Sequence, residues 1–267
     1  MHCMTQALFT LHGDTFVPSE HTRGPWDPRA QHAGPPAALL GRAMEAVDTE
    51  LPMQIVRFTI ELLRPVPLTP LRAAASVERG SRRVQLLEAT LHAGDTEVAR
   101  ARAVRIRTTE VALPEFGGAL DATVDPPEQS IPHRPFTDEP AFHETGVELR
   151  FARGAFGMPG AATVWIRLRH PLLEGEEPTP LQRTLAAADF GNGVSALADW
   201  REYLFINPDL TVHQLRPLAG DWVCLEAHSW LQPGGTGLAH SVLHDVRGPM
   251  GYAVQSLLFD RRAAQPG

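Results

Sequence analysis

The sequence predicts an α+β protein built from two copies of one unit, in which an antiparallel sheet curls around a single helix. Two observations predict this: a repeated sequence pattern, and one helix-forming segment ahead of each set of strand-forming segments. A lone helix cannot be covered by a two-stranded ribbon, whereas a long curved sheet buries both itself and the helix. We therefore expect two antiparallel sheets that each wrap one long central helix.

The repeat is visible as two matching segments at a constant offset. Residues 58–65 read FTIELLRP and residues 210–217 read LTVHQLRP, an offset of 152. The segments LEATLH at 87–92 and AHSVLH at 239–244 keep the same offset. After each Arg-Pro turn come three segments in which apolar and polar residues alternate, as in half-buried strands. The constant offset indicates two structurally equivalent halves.

Each half also contains one segment with the helical spacing of apolar residues. Residues 34–47 start with a glycine followed by Pro35, and proline suits the first turn of a helix. Residues 179–191 start with Thr179, a good N-cap residue, and end with Gly191, which we expect to stop the helix. Strand-forming segments precede both helices.

An acidic, proline-rich stretch separates the two halves. Such composition is typical of a linker that lies on the surface. We therefore expect an N-terminal unit of residues 1–108, a linker of residues 109–146 and a C-terminal unit of residues 147–267.

Composition restricts the class of function. The formal net charge of -7 argues against a general nucleic-acid binder. No apolar run is long enough to span a membrane, and the N-terminus lacks the features of a signal peptide. The two cysteines have neither metal-binding nor redox spacing, and no histidine and cysteine cluster suggests a metal, so we expect a reduced, cytoplasmic compartment and no cofactor.

Four segments resemble one family in both residues and order. QHAGPPAALLGRAME, AAADFGNGVS, FINPDLTVHQLRP and GYAVQSLLFDRR are similar to segments of the TesB-type acyl-CoA thioesterases, especially the actinobacterial "thioesterase family" branch. The resemblance covers nearly the whole chain outside the linker. It implies a tandem double hot-dog fold and the hydrolysis of an acyl-CoA to a free acid and coenzyme A, in lipid or fatty acid metabolism. It is also compatible with a homo-oligomer such as a dimer.

The resemblance also implies candidate catalytic residues. In TesB-type enzymes an Asp, a Thr or Ser and a Gln hold the water that attacks the thioester. Asp209 matches the Asp because it lies eight residues before Pro217, and Gln255 matches the Gln of the last strand. The third position holds His228, with Ser229 next to it, so this chain departs from the pattern there. A carboxylate is suited to accept the proton of a positioned water.

Four further residues are candidates for substrate binding. The turn that contains His32 and Gly34 resembles the glycine-containing turn that related enzymes place before the first helix. Free N–H groups at a helix N-terminus can stabilise an oxyanion, and Ala37 can supply one because the prolines at 35–36 cannot. Asp189 closes the second helix, where the helix dipole disfavours an anion, so it marks either a substrate contact or a simple helix-end turn.

The residues leave other interpretations open. Asp209 after Asn-Pro is also a common turn arrangement that caps a strand. A non-catalytic acyl-binding protein follows if His228 marks lost activity. A hot-dog enoyl-CoA hydratase is a weaker alternative, because its Asp precedes Asn-Pro, whereas here Asn207 and its proline precede Asp209. The repeat aligns Asp209 with Arg57, so we expect one active site per chain, where the halves meet.

Overall fold

The structure is a computed structural model that describes residues 7–113 and 123–262. The first half consists of two short strands, a 3-10 turn, one helix and four long strands. In order these are β1 (Phe9–His12), β2 (Thr15–Pro18), the 3-10 turn (Glu20–Thr22), α1 (Gly34–Glu45), β3 (Met53–Leu62), β4 (Leu71–Gly80), β5 (Val84–Ala93) and β6 (Thr96–Arg107).

The second half repeats this order with additions at its start and after its helix. Its elements are β7 (Ile131–Pro132), a π-helix (Phe142–Gly146), β8 (Val147–Arg153), β9 (Ala162–Leu168), α2 (Pro180–Ala188), α3 (Gly191–Val194), β10 (Tyr203–Ile206), β11 (Asp209–Gln214), β12 (Val223–Leu231), β13 (Thr236–Asp245) and β14 (Gly248–Arg261). The predicted α+β arrangement, with one main helix ahead of each set of four long strands, is therefore present in both halves.

The strands form one antiparallel sheet rather than two separate ones. Its order is β1-β2-β4-β5-β6-β3-β11-β14-β13-β12-β9-β8-β7, and β10 also pairs with β14. Within this order, β2-β4-β5-β6-β3 of the first half is repeated in reverse as β11-β14-β13-β12-β9 of the second. The two predicted sheets are thus joined edge to edge through β3 and β11.

The seam between the halves lies on the local symmetry axis. Thr59 pairs directly with Thr211, and their Oγ1 atoms lie 3.1 Å apart. These threonines are equivalent under the 152-residue offset. An antiparallel pair of equivalent residues places a local two-fold axis between them, so the sequence repeat is also a spatial one.

The two main helices pack directly against each other inside the curved sheet. A Cβ atom on Gly34 would lie 2.4 Å from the carbonyl oxygen of Ala186, and one on Gly41 would lie 2.6 Å from Cδ1 of Leu185. At Gly34 the neighbouring atom is backbone, so only glycine allows the helices to approach this closely there. Apolar side chains from both helices and from the sheet form one buried core that spans the two halves.

The second helix begins as predicted but ends differently. Thr179 is its N-cap, its hydroxyl accepts a hydrogen bond from the Gln182 N–H at 3.2 Å, and Glu45 of α1 accepts hydrogen bonds from both side chains. The prediction that Gly191 stops the helix was wrong, because α2 already ends at Ala188 with Asp189 as its C-cap. Gly191 instead begins α3, where the chain turns back towards the sheet.

Part of the predicted linker packs on the outer face of the sheet. The indole N–H of Trp165 donates to the Asp125 carbonyl at 2.7 Å, and Arg150 donates to the Pro127 carbonyl at 3.1 Å. Ile131 then pairs with Phe151 of β8. The division into residues 1–108, 109–146 and 147–267 stays a prediction.

Within residues 7–113 and 123–262, no helix has the length and apolar character needed to cross a bilayer.

Candidate active site

A cluster of polar side chains is buried where the start of α1 meets the end of α2 and the start of α3. We call it the polar cluster, and its members are His32, Asp189, Asn192, Asn207 and Gln255. His32 comes from the first half and the other four from the second. The polar cluster therefore lies where the two halves meet.

Asp189 is the centre of the polar cluster and only 4% exposed. Its Oδ1 accepts hydrogen bonds from Asn207 Nδ2 at 2.8 Å and from Gln255 Nε2 at 3.1 Å. Its Oδ2 lies 3.0 Å from Nδ1 of His32. As the C-cap of α2, Asp189 stands where the helix dipole disfavours a negative charge. Donors on both carboxylate oxygens offset that cost and the cost of burial.

His32 contacts two groups through one nitrogen. Its Nδ1 is 3.0 Å from Oδ2 of Asp189 and also 3.1 Å from the backbone nitrogen of Gly34, which donates to it. A ring nitrogen either carries a proton or accepts one, so Nδ1 can satisfy only one of these partners at a time. With Asp189 ionised, Nδ1–H donates to the carboxylate, Nε2 keeps its lone pair, and the Gly34 N–H is released.

The N-terminus of α1 offers few other donors. The prolines at 35–36 have no N–H, and the Ala37 N–H already donates to the Ala33 carbonyl at 2.9 Å. Ala37 is also completely buried. Unlike Ala37, the predicted oxyanion donor, Gly34 has an N–H that can be freed by a proton shift on a neighbouring side chain.

Gln255 is held rigidly by hydrogen bonds at both ends of its amide. Its Nε2 donates to Asp189, and its Oε1 accepts from the backbone N–H of Asn192 at 3.0 Å. Gly191 makes this possible, because a Cβ there would lie 2.8 Å from Oε1 of Gln255 and 2.9 Å from Oγ of Ser241. Gln255 thus fixes Asp189 relative to α3.

Asn192 and Asn207 complete the polar cluster, and neither was singled out from the sequence as a site residue. Asn192 donates to the Phe205 carbonyl at 3.0 Å and to Oδ1 of Asn207 at 3.3 Å. Both amides are buried, so their hydrogen bonds must be made within the protein. The sequence does carry a signal for Asn207, since an Asn-Pro pair is an unusual way to begin a strand.

Asp209 lies outside the polar cluster. In β11 the side chains of Leu210, Val212 and Gln214 are buried, whereas that of Asp209 alternates to the other face. β10 and β11 both pair with β14 but are interrupted at residues 207–208. Oδ1 of Asp209 accepts the backbone N–H of Ser256 at 2.8 Å, within this interruption. The carboxylate therefore satisfies a ladder N–H that the proline break leaves open.

The two candidates for the third catalytic position point in different directions. The ring of His228 stacks on Trp230 with centroids 6.0 Å apart, and His228 pairs across the sheet with His240. Ser229 lies on the other face, and its Oγ is 2.8 Å from Oγ of Ser195, the residue that follows α3. Ser229 is therefore connected through Ser195 to α3, which borders the polar cluster. The side chain of His228 makes no such connection, because it lies on the other face of β12.

Aromatic side chains surround His32. Its ring centroid lies 4.6 Å from that of Phe190 and 5.1 Å from that of Phe142 in the π-helix. His143, the next residue, is also close: burial, then the proximity of His32 and His133, lower its pKa to about 4. His143 is therefore neutral at pH 7.

Family models match the chain in two consecutive blocks. The model of the acyl-CoA thioesterase N-terminal domain matches residues 22–106, and that of the acyl-CoA thioesterase C-terminal domain matches residues 118–259. No curated protein matches the sequence.

Solved structures share the fold at low sequence identity. A putative thioesterase II from Thermobifida fusca has a TM-score of 0.72 at 18% identity, covering 97% of this chain and 96% of that one. A hot-dog protein of unknown function from Alicyclobacillus acidocaldarius has a TM-score of 0.72 at 15% identity, covering 96% of each chain. The tesB protein of Mycobacterium avium subsp. paratuberculosis has a TM-score of 0.65 at 15% identity, covering 94% and 95%. The predicted double hot-dog fold is confirmed.

Proposed function

The chain belongs to the acyl-CoA thioesterase family, and we propose that it hydrolyses acyl-CoA thioesters at the polar cluster, with His32 and Asp189 as its central pair. It is a thioester hydrolase by family. The observation that carries the choice of site is the contact between Asp189 and His32 at 3.0 Å, next to the N-terminus of α1. A buried carboxylate that orients an imidazole is a recurring way to activate a nucleophile.

In the proposed reaction His32 is the general base. Ionised Asp189 accepts the Nδ1–H of His32 and so leaves the lone pair on Nε2. Nε2 takes a proton from a water molecule while the water oxygen attacks the thioester carbonyl carbon. When the carbon–sulfur bond breaks, the electron pair leaves with sulfur, and the same proton passes from Nε2 to the coenzyme A thiolate. The products are a carboxylic acid and free coenzyme A.

The same tautomer prepares the oxyanion site. Once Nδ1 carries a proton it cannot accept from Gly34, so this N–H is free to donate to the carbonyl oxygen of the substrate as negative charge develops there. The positive end of the α1 dipole favours the same charge. Gln255 and Asn207 act as positioning residues, because they hold Asp189 at the angle that selects this tautomer.

The assignment of Asp209 as the base stays a prediction from the sequence, as does a role for His228 or Ser229. The contacts of Asp189 favour it over Asp209, whose side chain binds a backbone N–H on the other face of the sheet. A cytoplasmic location and a homodimer also stay predictions.

Two isosteric variants, Asp189→Asn and Asp209→Asn, test which of the two carboxylates catalysis depends on. We expect Asp189→Asn to lower kcat/KM by at least about 100-fold, because general-base help contributes about 10² to 10⁴-fold. Asp209→Asn serves as the matched control and should keep most of the activity. Release of coenzyme A thiol from a panel of acyl-CoA substrates measures both, with circular dichroism as a check on folding.

His32→Gln should behave like Asp189→Asn, and the double variant should be little slower than either, because the two residues act as a unit. A large loss in Asp209→Asn together with near-normal activity in Asp189→Asn would move the base to Asp209. Absence of thiol release from every acyl-CoA with wild-type protein would refute the function itself.

A further inference from the structure

We infer that the acyl side of this site is closed by Phe142 and Phe190 and by the contact between the two main helices, so that the enzyme takes short acyl groups. This inference rests on the proposed function and assigns a specificity-determining role to Phe142. It concerns the size of the acyl group, a property that the polar cluster alone does not determine.

The first wall is the interface between α1 and α2. An acyl chain that ran inward from His32 between these helices would have to pass Gly34 and Gly41. At both positions even one added carbon would lie 2.4 to 2.6 Å from an atom of α2, well inside van der Waals contact. At Gly34 the obstacle is the backbone carbonyl of Ala186, which cannot give way as a side chain can, so the helices close this direction at the end of the interface beside His32.

The second wall is formed by two phenylalanine rings against His32. Phe142 is completely buried and Phe190 is 2% exposed, and their ring centroids lie 5.6 Å apart. The ring centroids of Phe142 and Phe190 also lie 5.1 and 4.6 Å from that of His32, within the range of aromatic contacts. The three rings contact one another, so they leave no gap through which a methylene chain could pass.

The ring of Phe142 is fixed on two sides. A Cβ on Gly34 would lie 3.0 Å from its Cε1, and a Cβ on Gly146 would lie 2.5 Å from its Cδ2. The backbone N–H of Phe142 donates to the Arg23 carbonyl at 2.9 Å. In the same π-helix, Oγ1 of Thr145 lies 2.7 Å from Nδ1 of His21. The wall is thus a packed part of the fold.

Beyond Phe142 further aromatic rings continue towards the surface. His143 stacks on Phe156 with centroids 6.2 Å apart, Phe156 lies 5.4 Å from His133, and Phe136 next to them is 63% exposed. Shortening Phe142 would remove one ring of the wall beside His32 and open space at the π-helix whose next residue, His143, contacts these rings. We therefore expect Phe142→Ala to accept longer acyl chains than the wild-type enzyme.

The test is a chain-length series from acetyl-CoA to palmitoyl-CoA, with kcat/KM measured by thiol release. Wild type should be most active on acyl groups in the range from acetyl to butyryl. Its kcat/KM should fall steeply at octanoyl. In Phe142→Ala the ratio of octanoyl to butyryl kcat/KM should rise by at least about 10-fold, since one or two methylenes in an apolar pocket change specificity by this amount. Phe142→Leu, which risks less of the fold, should give a smaller rise. Phe9→Leu, at a buried phenylalanine of edge strand β1, should leave the ratio unchanged.

Wild-type enzyme that hydrolyses octanoyl- or palmitoyl-CoA as fast as butyryl-CoA would overturn this inference and leave the proposed function standing. If no acyl-CoA is hydrolysed, calorimetric binding of the same series to wild type decides. Tighter binding of butyryl-CoA than of octanoyl-CoA supports the wall, and the reverse order overturns it. An unchanged chain-length ratio in both folded Phe142 variants would likewise remove Phe142 from the specificity wall.

Discussion

Asp209 shows how one residue can match a functional pattern and also have a purely backbone role. Its carboxylate accepts the Ser256 N–H that the break at Pro208 leaves unpaired. Ser256 is exposed, so this hydrogen bond replaces one that water could also make, and it gives Asp209 a backbone partner at the place where the strand pairing is interrupted. Asn207, two residues earlier, turns the other way and reaches Asp189.

At His143 a buried imidazole couples stability to pH. Burial, followed by the proximity of His32 and His133, lowers its pKa to about 4, whereas an unfolded histidine titrates near 6.5. Glu144, 3.6 Å away, is the acidic group beside it. Between these pH values the unfolded chain binds a proton that the folded chain does not. The contribution of His143 to stability is therefore complete above about pH 6.5 and is lost as the pH falls towards 4.

We expect the urea midpoint of wild type to fall between pH 6.5 and 4 more steeply than that of His143→Gln. Equilibrium unfolding followed by tryptophan fluorescence at several pH values measures this. His213→Gln, at an exposed histidine of β11, is the control and should keep the wild-type slope. Equal slopes in wild type and His143→Gln would show that His143 is not the titrating group.

The sequence marked Asp189 as a substrate contact or a helix-end turn, but its place as the carboxylate beside His32 could not be predicted, for a physical reason. Strand and helix periodicity depends on neighbouring residues, so the two helices and most strands were predictable. Asp189, Asn207 and Gln255 meet only because α2 ends at Ala188 and the chain reverses through α3 into β10. Which of two acids faces the cluster depends on where the strand breaks, and residue spacing along the chain does not contain that information.

At the scale of elements, the Arg-Pro turn after β11 joins two hairpins. Arg216 forms a two-pronged ion pair with Asp245 at the end of β13 and also donates to the Gly248 carbonyl at 2.9 Å. Asp245 accepts the backbone N–H groups of Ala219 and Arg247 as well. Burial raises the pKa of Asp245, but these hydrogen bonds outweigh it and hold the net pKa below its ordinary value.

Arg216→Ala should destabilise the fold by about 3 kcal/mol, because it leaves a buried carboxylate without its cation. The low end of the usual range applies, since the Arg216 side chain is 29% exposed. Urea denaturation at pH 7 measures the difference. The loss should shrink below about pH 4, because an Asp with a lowered folded pKa stabilises only above its unfolded pKa and this contribution disappears as it is protonated. A change under about 0.5 kcal/mol would mean that the pair contributes no more than a surface ion pair.

For the whole molecule, the shared core and the single sheet predict one cooperative unfolding transition. Apolar side chains of both halves belong to one core, and β3 and β11 are joined by main-chain pairing. Differential scanning calorimetry should therefore show one peak whose calorimetric and van't Hoff enthalpies agree.

Residues 1–108 expressed alone should not form a stable monomer, since this fragment would expose the edge of β3 and the face of α1 that contacts α2. Two resolved calorimetric peaks, or a monomeric and cooperatively folded fragment, would show that the halves are independent.

The pairing of Thr59 with Thr211 across the seam has a consequence for how this protein can change over generations. When two identical chains form a symmetric pair, one gene encodes both copies. A substitution that improves one copy is then also present in the other. Here the two copies are encoded separately. Position 57 can be arginine while position 209 is aspartate. The start of α2 can bind Glu45, at the end of α1, while the start of α1 lies beside His32. Joining two equal units in one gene thus lets the first copy supply the imidazole of His32 and the second the carboxylate of Asp189 to one shared site.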